Sequence, residues 1–202
     1  MGIIRRNFCQ LSERCLVTLY KSMVRPILEY AQSAWSPHLQ ADIELIERVQ
    51  MRATKLIRRI KNLPYEIRLQ ELQLPTLKFR RIRGDMIEMY KIVSGTYDSS
   101  ASITPVYSNT QARGHQFKLF QNHIVYDLRK FAFRNRVIQG WNSLTEDIVS
   151  AESLNVFKNR LDRYWCDQEV KFNFKAELSG TGNRSIKSIR EDMTFSSTRK
   201  SH

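Results

Sequence analysis

The stretch ERVQMRATKLIRRI, Glu47 to Ile60, sets five cations among fourteen residues. Arg48, Arg52, Lys55 and Arg59 recur at steps of four, three and four, the spacing that lines side chains along one helix face. Cations aligned on a rigid helix can follow a phosphate backbone, with an affinity that falls steeply with salt. Such contacts position a nucleic acid without reading its bases. A second group, Lys78, Arg80, Arg81 and Arg83, crowds the first turns of another helical pattern. The helix dipole disfavours cations there, and Asp85 and Glu88 offset only part of the repulsion. The cluster therefore reads as uncompensated and suited to an anionic partner.

Catalytic constellations are absent from the sequence. It contains no P-loop, Gly-x-Gly-x-x-Gly, Gly-x-Ser-x-Gly or His-Glu-x-x-His pattern. Asp85, Asp127, Asp147 and Asp162 stand far apart with no local motif, and salt bridging on polar helix faces is the reading for the acids in general. Cys9, Cys15 and Cys166 are odd in number and sparse, which excludes a disulfide framework. None of His38, His115, His123 and His202 stands at finger or knuckle spacing from them, so no zinc site is predicted.

The chain of 202 residues carries 33 Lys and Arg against 20 Asp and Glu, a formal net charge of +13. That excess favours polyanions, nucleic acid first and an acidic membrane surface second. Its 42% hydrophobic content permits a substantial core. No apolar run approaches the roughly 20 residues that span a bilayer. Arg5 and Arg6 break any signal-peptide core, and Arg6 stands where a myristoylation signal wants Ser or Thr. The expectation is an intracellular protein with no membrane partner.

Most of the elements that would position these residues read as helices. Ser12 to about Trp35 forms a helix capped by Ser12 and stapled by Leu11 and Leu16, with Leu16, Leu19, Tyr20, Met23 and Ile27 on one face; Pro26 should kink it near Arg25. Asp42 is placed to cap the next helix, which runs through Ile60. Its apolar face carries Ile46, Val49, Ala53, Leu56, Ile57 and Ile60, nearly opposite the cations. Residues 64–74 form a short helix closed by Pro75. A long helix from Leu77 follows, with Phe79, Ile82, Met86, Met89, Tyr90 and Val93 inward and Gly95 as its stop. Residues 97–114 read as a surface loop. The stretch from His115 to Leu128 alternates enough for a short β-hairpin. A helix from Arg129 to Leu144 aligns Phe133, Val137 and Trp141, and a last one aligns Leu154, Phe157, Leu161 and Trp165. From Cys166 onward the composition predicts a disordered basic tail, in which Phe172, Phe174 and Phe195 are too isolated to build a core. The aromatics Trp35, Tyr90, Trp141 and Trp165 sit in apolar stripes and read as core.

Taken in order, LYKSMVRPILEYAQSAWSPHLQADIELIERVQMRATKLI, YEIRLQELQLPTLKFRRIRGDMIEMYKI, RVIQGWNSL and SLNVFKNRLDRYW resemble the reverse transcriptases of non-LTR (LINE-type) retrotransposons, of the jockey-like and chicken-repeat-like kinds. The resemblance spans about residues 2–166. It implies that residues 1–11 are the end of the helix following the polymerase palm, 12–95 a thumb-like helical region, 96–114 a loop, 115–165 a C-terminal helical segment and 166–202 the tail. The fold it implies is mainly α.

In such polyproteins an endonuclease, fingers and palm precede these segments, and a Phe/Tyr-x-Asp-Asp turn with a third aspartate holds two Mg²⁺ ions. This chain has neither that turn nor the endonuclease acids and histidines, so no catalytic residue, metal or cofactor is assigned to it. It reads as a thumb and downstream fragment of an RNA-directed DNA polymerase, inactive alone. The expected partners are an RNA–DNA hybrid or duplex backbone, bound without sequence preference, and the missing palm, fingers and endonuclease. Arg48, Arg52, Lys55, Arg59, Arg80, Arg81 and Arg83 are the candidates for the backbone grip. The resemblance also implies the nucleus, with the cytoplasm as the other compartment. The alternative function is a non-enzymatic helical interaction module derived from such an element.

Overall fold

The computed structural model describes residues 6, 12–98, 104–108, 115–121 and 124–181. These build a mainly α fold: α1 Glu13–Leu19, a π turn Tyr20–Val24, α2 Arg25–Glu29, α3 Gln32–Trp35, α4 Gln40–Thr54, α5 Tyr65–Glu71, α6 Leu77–Val93, α7 Asp127–Lys130, α8 Phe133–Asn142, α9 Glu146–Val149 and α10 Leu154–Tyr164. A 3₁₀ turn, Glu169–Lys171, follows. Among the described residues the stretch predicted as a hairpin forms no strand; Leu119 instead makes an isolated antiparallel bridge to Tyr107, in the segment expected as a loop. Leu11, Cys9, His123 and residues 182–202 lie outside the described residues, as does the helix end expected over 1–11 apart from Arg6.

Local chemistry sets the helix ends. Ser12, Thr76 and Ser153 accept hydrogen bonds from the amides of Cys15, Phe79 and Val156, and so cap α1, α6 and α10. Gly95 takes φ +67° and closes α6, while the Thr96 amide reaches back to the Lys91 carbonyl at 2.9 Å. As expected for Pro26, the helix is divided near Arg25, though without a gap in the chain of turns: α2 begins at Arg25, directly after the π turn. The preceding turn widens: the Arg25 amide donates to the Tyr20 carbonyl, and Pro26 falls in the first turn of α2, where its missing N–H costs nothing. α2 ends at Glu29, and Ala31 follows with a left-handed φ of 49°.

α6 is the central element. One side packs Phe79, Met86, Met89 and Tyr90 against Val137, Ile138, Trp141, Phe157, Leu161 and Trp165, all buried. The Tyr90 ring stacks on Phe157 at 4.4 Å, and its hydroxyl donates to the Ala151 carbonyl at 2.6 Å. α8 approaches closely because position 140 is glycine; a Cβ there would lie 3.2 Å from Met86 Cε. On the other side sit two smaller clusters, Leu16, Ile57 and Ile60, and Tyr20, Ala53, Leu69 and Leu74. Met23 and Ile27, expected inward, are exposed.

Two expectations are corrected by packing. The single helix over 129–144 is two, α7 and α8, parted at Phe131 and Ala132. The tail expected from Cys166 is ordered through residue 181. Val170 and Phe174 are buried there, and the Phe174 ring meets the edge of Tyr65 at 6.3 Å. Thr76 binds this segment twice, donating its amide to the Lys171 carbonyl and its hydroxyl to the Val170 carbonyl at 2.6 Å. Those aromatics are isolated in sequence, yet find their neighbours on α5 and the α6 entry. Among the described residues no helix is long and apolar enough to cross a membrane.

Candidate nucleic-acid interface

α4 presents the first group of cations, and its burial differs from the expected pattern. The buried line runs through Ile43, Glu47, Gln50, Ala53 and Thr54, roughly a quarter turn round from the apolar stripe. Ile46 and Val49 are only partly covered, and Leu45 is exposed. Polar residues take the core position because each finds partners. The Glu47 carboxylate accepts the Leu77 amide at 3.0 Å and the Tyr65 hydroxyl at 2.7 Å. Gln50 accepts from the Tyr20 hydroxyl at 2.7 Å and donates to the Tyr65 hydroxyl and the Pro75 carbonyl. Glu47 thus places a negative charge at the N-terminus of α6, where the dipole favours it. Burial pushes its carboxyl above the usual range, against the hydrogen bonds from Tyr65 and Leu77 and the field of Arg81.

α4 stops at Thr54, short of the predicted Ile60. The buried Arg68 guanidinium donates to the Met51 carbonyl at 3.0 Å and to Thr54 Oγ1 at 2.6 Å, closing the helix end with side-chain donors. Short-range turns follow, with the amides of Leu56, Ile57 and Ile60 reaching back three residues. At the start of α4 Leu39 occupies the cap position and Asp42 lies within the first turn, so Asp42 adds charge to the dipole without capping.

Of the four predicted stripe residues, Arg48, Arg52 and Lys55 share one exposed face at the end of α4. Arg48 pairs with Glu44 at 3.1 Å within its own helix, with both side chains about half exposed; such pairs are weak and yield readily to a polyanion. Arg52 and Lys55 have no ion pair among the described residues. Arg59 has left the helix and lies between two carboxylates, Glu13 at 2.6 Å and Glu71 at 3.3 Å. Arg58 and Lys61, in the turns beyond α4, are exposed and unpaired among the described residues. Helical spacing alone passed over them, since it assumed a helix through residue 60.

The second cluster is not uncompensated. Arg80 makes a bidentate pair with Glu29, its second contact at 2.9 Å. Arg83 makes another with Asp162, at 2.5 and 2.8 Å. Lys78 is buried, donating to Glu177 at 2.6 Å and to the Ala176 carbonyl at 2.8 Å. Arg81 is buried in the field of Glu47, Asp85 and Glu29. Arg80, Arg83 and Lys78 bind the α6 entry to α2, to α10 and to the C-terminal segment, while Arg81 makes no ion pair among the described residues.

Of the four acids that sequence left scattered, three are engaged, and Asp127 is exposed with no ion pair among the described residues. Asp85 pairs with Arg136, Asp147 with Arg160 and Asp162 with Arg83. Among the described residues no group of three or more His, Cys, Asp or Glu gathers to hold a metal ion. Cys15 and Cys166 are exposed free thiols.

Comparison with protein-family models, with curated proteins and with solved structures finds no match.

What the arrangement offers chemically is a short row of unpaired cations, Arg52 and Lys55 with Arg48 beside them, on the outer face of a helix whose inner face is locked by Glu47 and Gln50.

Proposed function

We propose that this chain is a thumb-like and downstream part of a non-LTR retrotransposon reverse transcriptase, without the catalytic palm, whose retained role is to hold the backbone of a primer–template duplex. The observation that carries the reading is the row Arg48, Arg52 and Lys55, exposed on one helix face with a single weak internal pair. The ordered sequence resemblance and the net charge of +13 support it. Arg58 and Lys61 extend the basic surface. Arg80, Arg81 and Arg83 hold the scaffold rather than the ligand in this reading.

Binding of a short RNA–DNA hybrid across a salt series tests it. The triple variant Arg48→Glu, Arg52→Glu, Lys55→Glu should lose affinity at low salt and flatten the salt slope by about 3, close to one unit per lost phosphate contact. Hybrid affinity unchanged by those substitutions would sink the assignment. With primer–template, Mg²⁺ and deoxynucleotides the chain should give no extension, and extension would overturn the non-catalytic part of the reading.

One observation favours a second reading, a helical interaction module. Met23, Ile27 and Tyr30 fall four and three residues apart along the π turn and α2, and are 51%, 75% and 79% exposed. A contiguous uncovered apolar row suits a protein partner. Concentration-dependent association by analytical ultracentrifugation, abolished by Ile27→Glu and accompanied by no hybrid binding, would favour this reading over the first.

A further inference from the structure

A groove lies away from α4, between α6, α8 and the bridged segments around Tyr107 and Leu119. It is shallow and is lined by Met89, Ile92, Val106, Phe120, Phe133 and Ile138, with Arg134 and Asn135 among its polar lining. Its wall is pinned by one backbone bond and one side-chain bond: the Phe120 amide donates to the Val106 carbonyl at 2.8 Å, and the Trp141 indole donates to the Phe117 carbonyl at 2.9 Å. The wall side chains Val106 and Phe120 each remain 49% exposed.

We propose that this groove docks an acidic amphipathic helix of a protein partner, with apolar anchors seated between Val106, Phe120 and Ile138 and a carboxylate on Arg134. The charge pattern selects that occupant. Among the described residues no carboxylate lines the groove, and Arg134 is exposed with no ion pair. α7, tied to the groove through the Asn135 amide and the Arg129 carbonyl, adds exposed Arg129 and Lys130. The same flank leaves Tyr126 and Leu128 almost wholly uncovered, extending the apolar surface for a helix laid across it. A second copy, itself at +13, is repelled by this surface. A nucleic-acid backbone would meet the same three cations but brings no apolar groups to cover the floor of Val106, Phe120 and Ile138.

The test is fluorescence anisotropy of the full chain at about 0.15 M salt. The probe is a labelled peptide helix with Leu and Phe at i, i+3, i+4 and i+7 and Glu on its other faces. Saturable binding is expected, weakened about tenfold or more by Phe120→Asp, by Val106→Glu and by Arg134→Glu. The peptide with Lys for Glu, and the peptide with its anchors scrambled, should not bind. All three substituted positions are exposed, and a thermal melt of each variant checks the fold.

Absence of saturable binding overturns the proposal. So does binding that ignores all three substitutions, which would mean capture by overall charge elsewhere, and equal binding of the scrambled peptide. Hybrid affinity measured on the same variants should stay at the wild-type level. If it falls with them while the acidic peptide does not bind, the groove serves nucleic acid and the proposal is wrong. The Arg48, Arg52 and Lys55 assignment stands or falls separately, on its own variants.

Discussion

Arg136 gathers much of what joins the two parts of the chain. Its guanidinium holds Asp85 at 2.9 and 3.0 Å and also donates to the carbonyls of Gln32, Ser33 and Phe131. Both partners are largely buried. Removing one leaves the other charged and unpaired, so Arg136→Ala should cost about 3–5 kcal/mol. Asp85→Leu combined with Arg136→Leu should recover part of that loss, and urea unfolding of both variants measures it. Glu47 makes the complementary case in pH. Burial holds its folded pKa above the ordinary value of 4.5, so the folded chain binds that proton more tightly than the unfolded one. The stability this supplies is complete below the unfolded pKa and is lost as pH rises through the folded pKa. Against Glu47→Gln, which does not titrate, wild type should therefore lose relative stability from the ordinary carboxylate pKa upward. Urea midpoints in a pH series check this; a constant difference would mean that the carboxyl keeps its usual pKa.

Among the elements, α6 shows how a cap can serve two purposes. Thr76 Oγ1 accepts the Phe79 amide at 3.1 Å and donates to the Val170 carbonyl. Thr76→Ala removes the cap and strands a buried carbonyl, for an expected loss of about 2 kcal/mol. Ser12→Ala at the exposed start of α1 removes a cap alone and should cost about 1 kcal/mol or less; chemical denaturation compares the two. The same elements mark what sequence could convey. α6 and α10 were legible because their apolar residues keep a helical period, and Gly95 marks the end of α6. The rotation of α4 was not. Its inner face carries Glu47 and Gln50, and burial of such groups makes sense only beside Tyr65, Leu77, Tyr20 and Pro75, residues 15–30 positions away. Exposed Arg52 and Lys55 could be read from spacing. The engagement of Arg80 and Arg83 could not, because Glu29 and Asp162 stand 51 and 79 residues off.

At the scale of the molecule, the C-terminal segment completes the body that α6 begins. Val170 is fully buried against the main core, Phe174 meets Tyr65, and Lys78 finds both its partners at Ala176 and Glu177. A chain ended after Trp165 should lose cooperative unfolding and bind a dye for exposed apolar surface, whereas the full chain melts in one transition; calorimetry and dye fluorescence together read this out. That closure also sets a timetable for synthesis. The bond between Thr76 and Val170 joins residues 94 positions apart. At a translation rate of about 5–20 residues per second, some 5–20 s pass between making one and making the other. For that interval the nascent α6 entry carries Lys78 and the apolar surface destined for Val170 with nothing to cover them. The ribosome, rather than the test tube, is where this fold is most exposed to aggregation and to chaperones.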